Sequence, residues 1–484
     1  MKKYLIIAFA AAFTLVGCGK NFLEQAPKQS QSDVLTLSTL EGLDMATAGA
    51  YAPLASTNWY GANFILSNEM QTMNGKRWVE FSKYISGRYT DEYAVHYTQN
   101  TAKPLWGTAY FVILSANAVI NNLEKVEGDE ETKNNLKAEC LFLRALAHFD
   151  LVRTYAMPYY YAVKATSAPA NLGVPVVTTS DPEAKPARET MEKTYEQIIT
   201  DLLDAEKIID PDYVRTGGED AYAKVSLTAI QALLSRVYLY SQQWQKAADY
   251  ATKVINSGKY SMWTANQVAF GNECVWVEQV RSKGEVIFEV FVNTTQTYGG
   301  GNENVWGMTC FAGGYGDCGA SEDLLNLYED NDVRKTLVQS DAEGNALFTM
   351  KYFGKGLSSI DASNIIILRL SEMYLTRAEA ILNGASVTGA NAADDLATVA
   401  KNRGATPLAA TLANVYLERA KEFAWEGHLW FDLARTGRPM TRTDVSGTSI
   451  PTLIEPGDYR WATPIASREF TVNPNLMQND GYGI

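Results

Sequence analysis

Three glutamates, Glu418, Glu422 and Glu426, recur four residues apart and share one face of any helix that carries them. A pair of carboxylates at the right separation can hydrolyse a glycosidic bond, one as acid and the other as base or nucleophile. With Arg419 and Lys421 beside them, however, these three read as a solvated, charge-paired stripe. Asp330 and Asp332, with Asp317 nearby, offer the oxygen ligands calcium takes, but without EF-hand spacing. The sequence holds no serine or cysteine nucleophile motif, no HExxH and no phosphate-binding glycine loop. Three histidines are too few for a His-rich metal centre. The reading is a protein that is not an enzyme and needs no metal or cofactor.

A different chemistry is suggested by aromatic rings set on glycine-punctuated loops. Residues 56–101 hold Trp59, Tyr60, Phe64, Trp78, Tyr89, Tyr93 and Tyr97 with no sustained period, broken by Gly61, Gly75 and Gly87. Residues 297–318 are glycine-rich and carry Tyr298, Trp306, Phe311 and Tyr315. Glycine lets backbone approach a ligand closely, and a flat ring can stack on the apolar face of a sugar. The predicted ligand site lies where these two blocks meet. Trp78 and Trp306 are the expected stacking platforms, with Tyr298 and Tyr315 behind them. Arg77, Asn302 and Asn304 are the expected hydrogen-bonding groups, since their donors and acceptors suit pairs of hydroxyls.

The remaining sequence must position those blocks. From Lys224 to Tyr260 it reads as two helices broken at Ser241-Gln242-Gln243. Leu227, Ile230, Leu234, Val237 and Tyr238 form one apolar face, and Trp244, Ala247, Ala248, Ala251, Val254 and Ile255 form the other. Asn256-Ser257-Gly258 stops the second helix. Leu234-Ser235, Tyr238 and Ala247 have the spacing of a tetratricopeptide helix pair, although Ala251 stands where that pattern has a large residue. One pair cannot bury its own stripe, so stacked neighbours are implied. Further helices are predicted over 39–54, 103–126, 131–154 and, as one continuous element, about 411–436. Glu285 to Val290 alternates every two residues and predicts a strand. The fold class is therefore mainly α, with tetratricopeptide-like helical repeats, long loops and small β inserts.

Composition and the N-terminus set the compartment. Lys2-Lys3 and an apolar run from Tyr4 to Val16 are too short to span a bilayer and read as a signal peptide over 1–17. Leu15-Val16-Gly17-Cys18 resembles a bacterial lipobox, which makes Cys18 the lipidation site and the acyl chains, palmitate among them, the only membrane anchor. Residues 18–38 then form a polar tether, and 39–484 a single domain. The net charge of −13 over 484 residues becomes about −15 without Lys2 and Lys3, which disfavours nucleic acid as a partner. Cys310 and Cys318 flank one loop and could pair, with Cys274 as a rival partner.

The run Ala138-Glu139, Phe142-Leu143-Arg144-Ala145 and Phe149-Asp150-Leu151-Val152 resembles the signature helix of the SusD/RagB family of outer-membrane lipoproteins. Trp106, Tyr110 and Asn117 precede it, and Gly173-Val174-Pro175 follows. Further matches in family order are Asp332-Val333-Arg334, Arg369 to Leu375, Glu426 to Leu433 and the tail from Pro464 to Tyr482. The resemblance implies a SusD-like N-terminal part over about 21–230 and a C-terminal part over about 265–484. It also implies a lipid-anchored protein of the outer membrane that captures an oligosaccharide and hands it to a SusC-like TonB-dependent barrel. RagB-like relatives take peptides, which is the main alternative; a surface glycoside hydrolase and a pure interaction scaffold are others. The chain departs from the family at Gly19-Lys20-Asn21, where acidic residues often follow the lipidated Cys and aid surface exposure. Its Arg144 and Asp150 read as ion-pair formers at the edge of the core.

Overall fold

The computed structural model describes residues 36–80, 86–215, 221–277, 283–292, 303–310, 314–352 and 363–483. The predicted signal peptide, Cys18 and the predicted tether up to residue 35 lie outside these. Among the described residues, eleven helices have eight or more residues. They are α1 (Leu40–Tyr51), α2 (Asn63–Met70), α3 (Leu105–Ile120), α4 (Glu130–Tyr155), α5 (Met191–Ile208), α6 (Leu227–Tyr240), α7 (Trp244–Asn256), α8 (Leu370–Leu382), α9 (Ala392–Lys401), α10 (Leu412–Glu422) and α11 (Leu429–Thr436). None is long and apolar enough to cross a membrane.

The helices pack in chain order: α3 on α4, α4 on α5, α6 on α7, α7 on α8 and α8 on α9. Their starts are written in the sequence. Thr39, Asp129, Thr190, Ser226, Asn391 and Thr411 each accept a hydrogen bond from the first turn of the helix they precede. The α6–α7 crossing is close because its contact residues are small. Ser235 Oγ donates to the Ala247 carbonyl at 2.9 Å, and Ala247, Ala248 and Ala251 are fully buried. A larger side chain at 251 would push the helices apart, which explains the departure from the repeat pattern. Gln242 turns the chain with φ +57°. The signature helix α4 buries nearly its whole length, and its charges are paired inside: Arg144 holds Asp201, and Asp150 holds Arg153 while accepting from Trp59 Nε1 at 2.7 Å.

The strands are short and lie between the helical parts. Strand β2 (Val286–Val290) pairs antiparallel with β6 (Ile365–Arg369), and all ten residues are buried. A four-stranded sheet has the order β1-β3-β5-β4, formed by Gly75–Lys76, Gly319–Ala320, Leu347–Thr349 and Val338–Ser340. Strands β7 (Met440–Thr441) and β8 (Leu453–Ile454) form a third, two-stranded sheet.

Two expectations are corrected here. The predicted continuous helix over 411–436 is two helices, with a break where Trp425 and Gly427 take φ +66° and +78°. The predicted solvated stripe is a buried ion-pair cluster. Glu422 meets Arg334, Arg369 and Arg403, and Glu426 meets Arg369 and Lys351, all with side chains at most 4% exposed. Burial would raise the pKa of Glu422, but Arg403, Arg369 and Arg334 outweigh it and hold the carboxyl well below its usual value. A carboxylate locked this way cannot deliver a proton at neutral pH, which removes it as a general acid.

Candidate functional site

The two aromatic, glycine-punctuated blocks do come together. Strand β1 of the first pairs with β3, just after the second, in the register Gly75↔Ala320 and Lys76↔Gly319. Higher up, Val305 N donates to the Gly61 carbonyl at 3.0 Å and Thr57 Oγ1 to the Glu303 carbonyl at 3.0 Å. Ser86 N donates to Asp317 Oδ1 at 3.2 Å.

Among the described residues the junction carries one open aromatic ring. Tyr315 is 38% exposed, and the Arg88 guanidinium carbon lies 4.2 Å from its ring centroid. A turn aims Arg88: Gly87 has φ +88°, Tyr89 has φ +54°, and Tyr89 Oη donates to Asn63 Oδ1 at 2.8 Å. Arg88 also hydrogen-bonds Glu303 and lies 3.7 Å from the buried Asp317 carboxylate. Partial burial lowers the pKa of Arg88, but Glu303 and Asp317 push it further the other way, so the net shift is upward. The result is a cation–π pair that brings guanidinium N–H donors, the part-exposed Glu303 carboxylate and an aromatic ring to one surface, with Asp317 buried behind Arg88.

The predicted residues divide. Tyr315 is the exposed member of the set. Trp78 is 9% exposed and packs with Ala346 and Phe348, its Nε1 donating to the Ala320 carbonyl at 3.1 Å. Lys76 Nζ covers the ring at 3.7 Å, and a Cβ on Gly319 would fall 2.4 Å from Trp78 Cδ1. Trp306 is 5% exposed. Neither tryptophan presents a face to solvent here; both are packed in the interior. Asn304 is buried and caps the short helix Val305–Thr309, accepting from Gly307 N at 2.8 Å. Arg77 is buried, with its Nε unpartnered. Tyr298 and Asn302 lie outside the described residues. Cys318 is a buried thiol, so the Cys310–Cys318 bridge is not formed. Asp332 is buried and committed to Arg334, while Asp330 is fully exposed and pairs with Lys335 at the surface.

Sequence reasoning missed Arg88, Glu303 and Glu69. Arg88 had one signal, its place after Gly87 in the aromatic block, but Arg77 after Gly75-Lys76 looked equally good. Glu69 supports the junction from below. Its carboxylate accepts from Asn74 Nδ2 at 2.7 Å and Gly427 N at 2.6 Å, with no ion pair among the described residues. Burial dominates and raises its pKa to about 7, against the hydrogen bonds from Asn74, Gly427 and Trp425. It ties the first insert to the α10–α11 break.

Comparison with known families settles the lineage. A family model described as starch-binding and associating with the outer membrane matches residues 21–239, and one described as the SusD family matches residues 345–482. The chain belongs to the SusD/RagB family. SusD-like protein P2 of Formosa agariphila is 25% identical over the full length of both chains. The starch-binding protein SusD of Bacteroides thetaiotaomicron is 32% identical over 183 residues, 34% of this chain and 31% of its own. A SusD superfamily crystal structure from Bacteroides vulgatus superposes with a TM-score of 0.80 at 26% identity, covering 92% of this SusD-like chain and all of that one. Another, from Bacteroides thetaiotaomicron, gives 0.79 at 28% identity, covering 91% and 99%. The mainly α fold with small β inserts is thus that of the family.

Proposed function

We propose that this SusD-like chain is an outer-membrane lipoprotein that binds an oligosaccharide at the insert junction and delivers it to a SusC-like TonB-dependent barrel. The observation that carries the binding step is the exposed Tyr315 ring with Arg88, Glu303 and Asp317 around it, in a chain whose relatives include a starch-binding protein. The ring offers a stacking face, and the part-exposed Arg88 and Glu303 offer donors and acceptors to hydroxyl pairs, with buried Asp317 behind Arg88. No bond is broken: both carboxylates flanking the ring are held by Arg88, and Glu422 and Glu426 are locked in the interior. Delivery to a barrel and surface residence rest on the family and on the lipobox at Cys18.

The test is a glycan array on the purified chain, followed by calorimetry of the best hit against Tyr315→Ala and Arg88→Ala. Each variant is expected to lose binding at least about tenfold, the equivalent of about 1.4 kcal/mol. Full retention in both variants would move the site elsewhere, and an array with no hit would favour the peptide-binding alternative.

A further inference from the structure

A second cavity lies between α10, α11 and β7, and the glycan-binding reading leaves it unused. It is a half-open cavity of about 330 Å³ lined by Met73, Tyr416, Leu417, Leu429, Leu433 and Arg438, among others. Its walls are mostly hydrocarbon. The exception is Arg438, whose guanidinium carbon lies 4.3 Å from the Tyr416 ring centroid. Arg438 Nε donates to Thr436 Oγ1 at 2.9 Å, while its Nη2 is buried without a hydrogen-bond partner.

The charges nearby do not balance. Asp432 is shared by Arg419 and Arg435, both at 2.8 Å, and Glu379 is taken by Arg435. That leaves three guanidiniums against two carboxylates, with no carboxylate among the described residues in an ion pair with Arg438. Arg419 Nη1 is likewise buried and unpartnered. Leaving a half-buried guanidinium without an ion pair costs free energy, and this one persists in a chain of net charge −13. One unpaired guanidinium matches one negative charge in planar, two-point geometry. Walls of leucine, methionine and alanine would strand the hydroxyls of a sugar. That combination favours a monocarboxylate with a hydrocarbon body over a phosphate or a polyol.

We infer that this cavity binds a small organic carboxylate, with its anionic end on Arg438 and its apolar body against Leu417, Leu429 and Leu433. The Tyr416 ring lies against the guanidinium, its centroid 4.3 Å from the guanidinium carbon. The site is separate from the Tyr315 platform, so glycan binding there should be independent of it.

Calorimetry with octanoate and with octanol on the full chain tests this. Octanoate is expected to bind at least about tenfold more tightly than octanol, since a hydrogen-bonded charge pair contributes at least that much. Arg438→Gln should abolish the difference, and Arg438→Lys should keep part of it. Leu433→Trp, which fills the cavity and leaves Arg438 in place, should block octanoate while the best array glycan still binds. Equal affinity for the two probes, absence of octanoate binding, or undiminished octanoate binding in Arg438→Gln or Leu433→Trp would each overturn the assignment. If Arg438→Gln does not fold, Leu433→Trp and the octanol comparison decide alone.

Discussion

At the residue scale, rings of similar chemistry divide by burial. Trp306→Ala and Trp78→Ala remove buried indoles and should each cost about 3–5 kcal/mol of stability, read as an early thermal melt. Tyr315→Ala should barely move the melt and should act on glycan binding instead. The reverse pattern would return the stacking role to the tryptophans. The sequence places all three rings in the two predicted blocks but cannot rank them, because a ring that stacks on a sugar and a ring that packs on Gly319 have the same side chain. Glu69 makes a second prediction. Its folded pKa of about 7 exceeds the ordinary 4.5, so the folded state holds its proton more tightly than the unfolded state. The stability it contributes is full below pH 4.5 and is lost as pH rises towards 7, by about 3 kcal/mol at most. Glu69→Gln should flatten that slope, measured as the difference between the two proteins' melts at pH 4.5 and 7.5. Asn74 Oδ1 has no partner, so a flipped amide can accept from the new side chain. Identical slopes would mean that Glu69 titrates normally.

At the element scale, the helix pair was legible almost to the residue. Periodicity, the Ser226 cap and small residues at the crossing all point to one geometry, and Leu234 is fully buried as that face requires. Leu234→Ala should cost about 2–5 kcal/mol, whereas exposed Gln242 should tolerate alanine within about 0.5 kcal/mol, since both residues carry the same Cβ into the left-handed turn. Equal melts for the two variants would refute the packing. The α10–α11 break was not legible, and the reason is physical. Glu418, Glu422 and Glu426 have helical spacing, but Glu426 is drawn out of register by Arg369 and Lys351, and Gly427 donates to Glu69. Those partners lie far away in sequence. Spacing shows which residues could share a face, not whether that face meets water or four distant cations. Glu422→Ala, which leaves Arg334, Arg369 and Arg403 without a shared carboxylate, should cost about 3–5 kcal/mol.

At the scale of the whole molecule, the inserts join the two family-matched parts. Strand β1, from the first part, enters a sheet with three strands from beyond residue 300. Lys76 pairs with Asp444 at 2.6 Å, and Arg442 Nη1 donates to the Met70 carbonyl at 3.1 Å. The candidate site therefore exists only where sequence-distant segments meet, which is why composition located its blocks while the arrangement within them stayed hidden. How that site is held at a membrane depends on the other end of the chain. The described residues contain no helix able to cross a bilayer, and in the proposed function the lipobox-like run ending at Cys18 is the attachment. Acyl chains contribute about 0.8 kcal/mol per buried methylene, and several chains together hold firmly where one does not. Cys18→Ser removes the thiol that the first chain needs and changes no residue of the folded domain. The variant should leave the membrane pellet for the soluble fraction, with its melt and its glycan affinity unchanged. A variant that still sediments fully with membranes after a high-salt wash would be held by something other than lipid on Cys18.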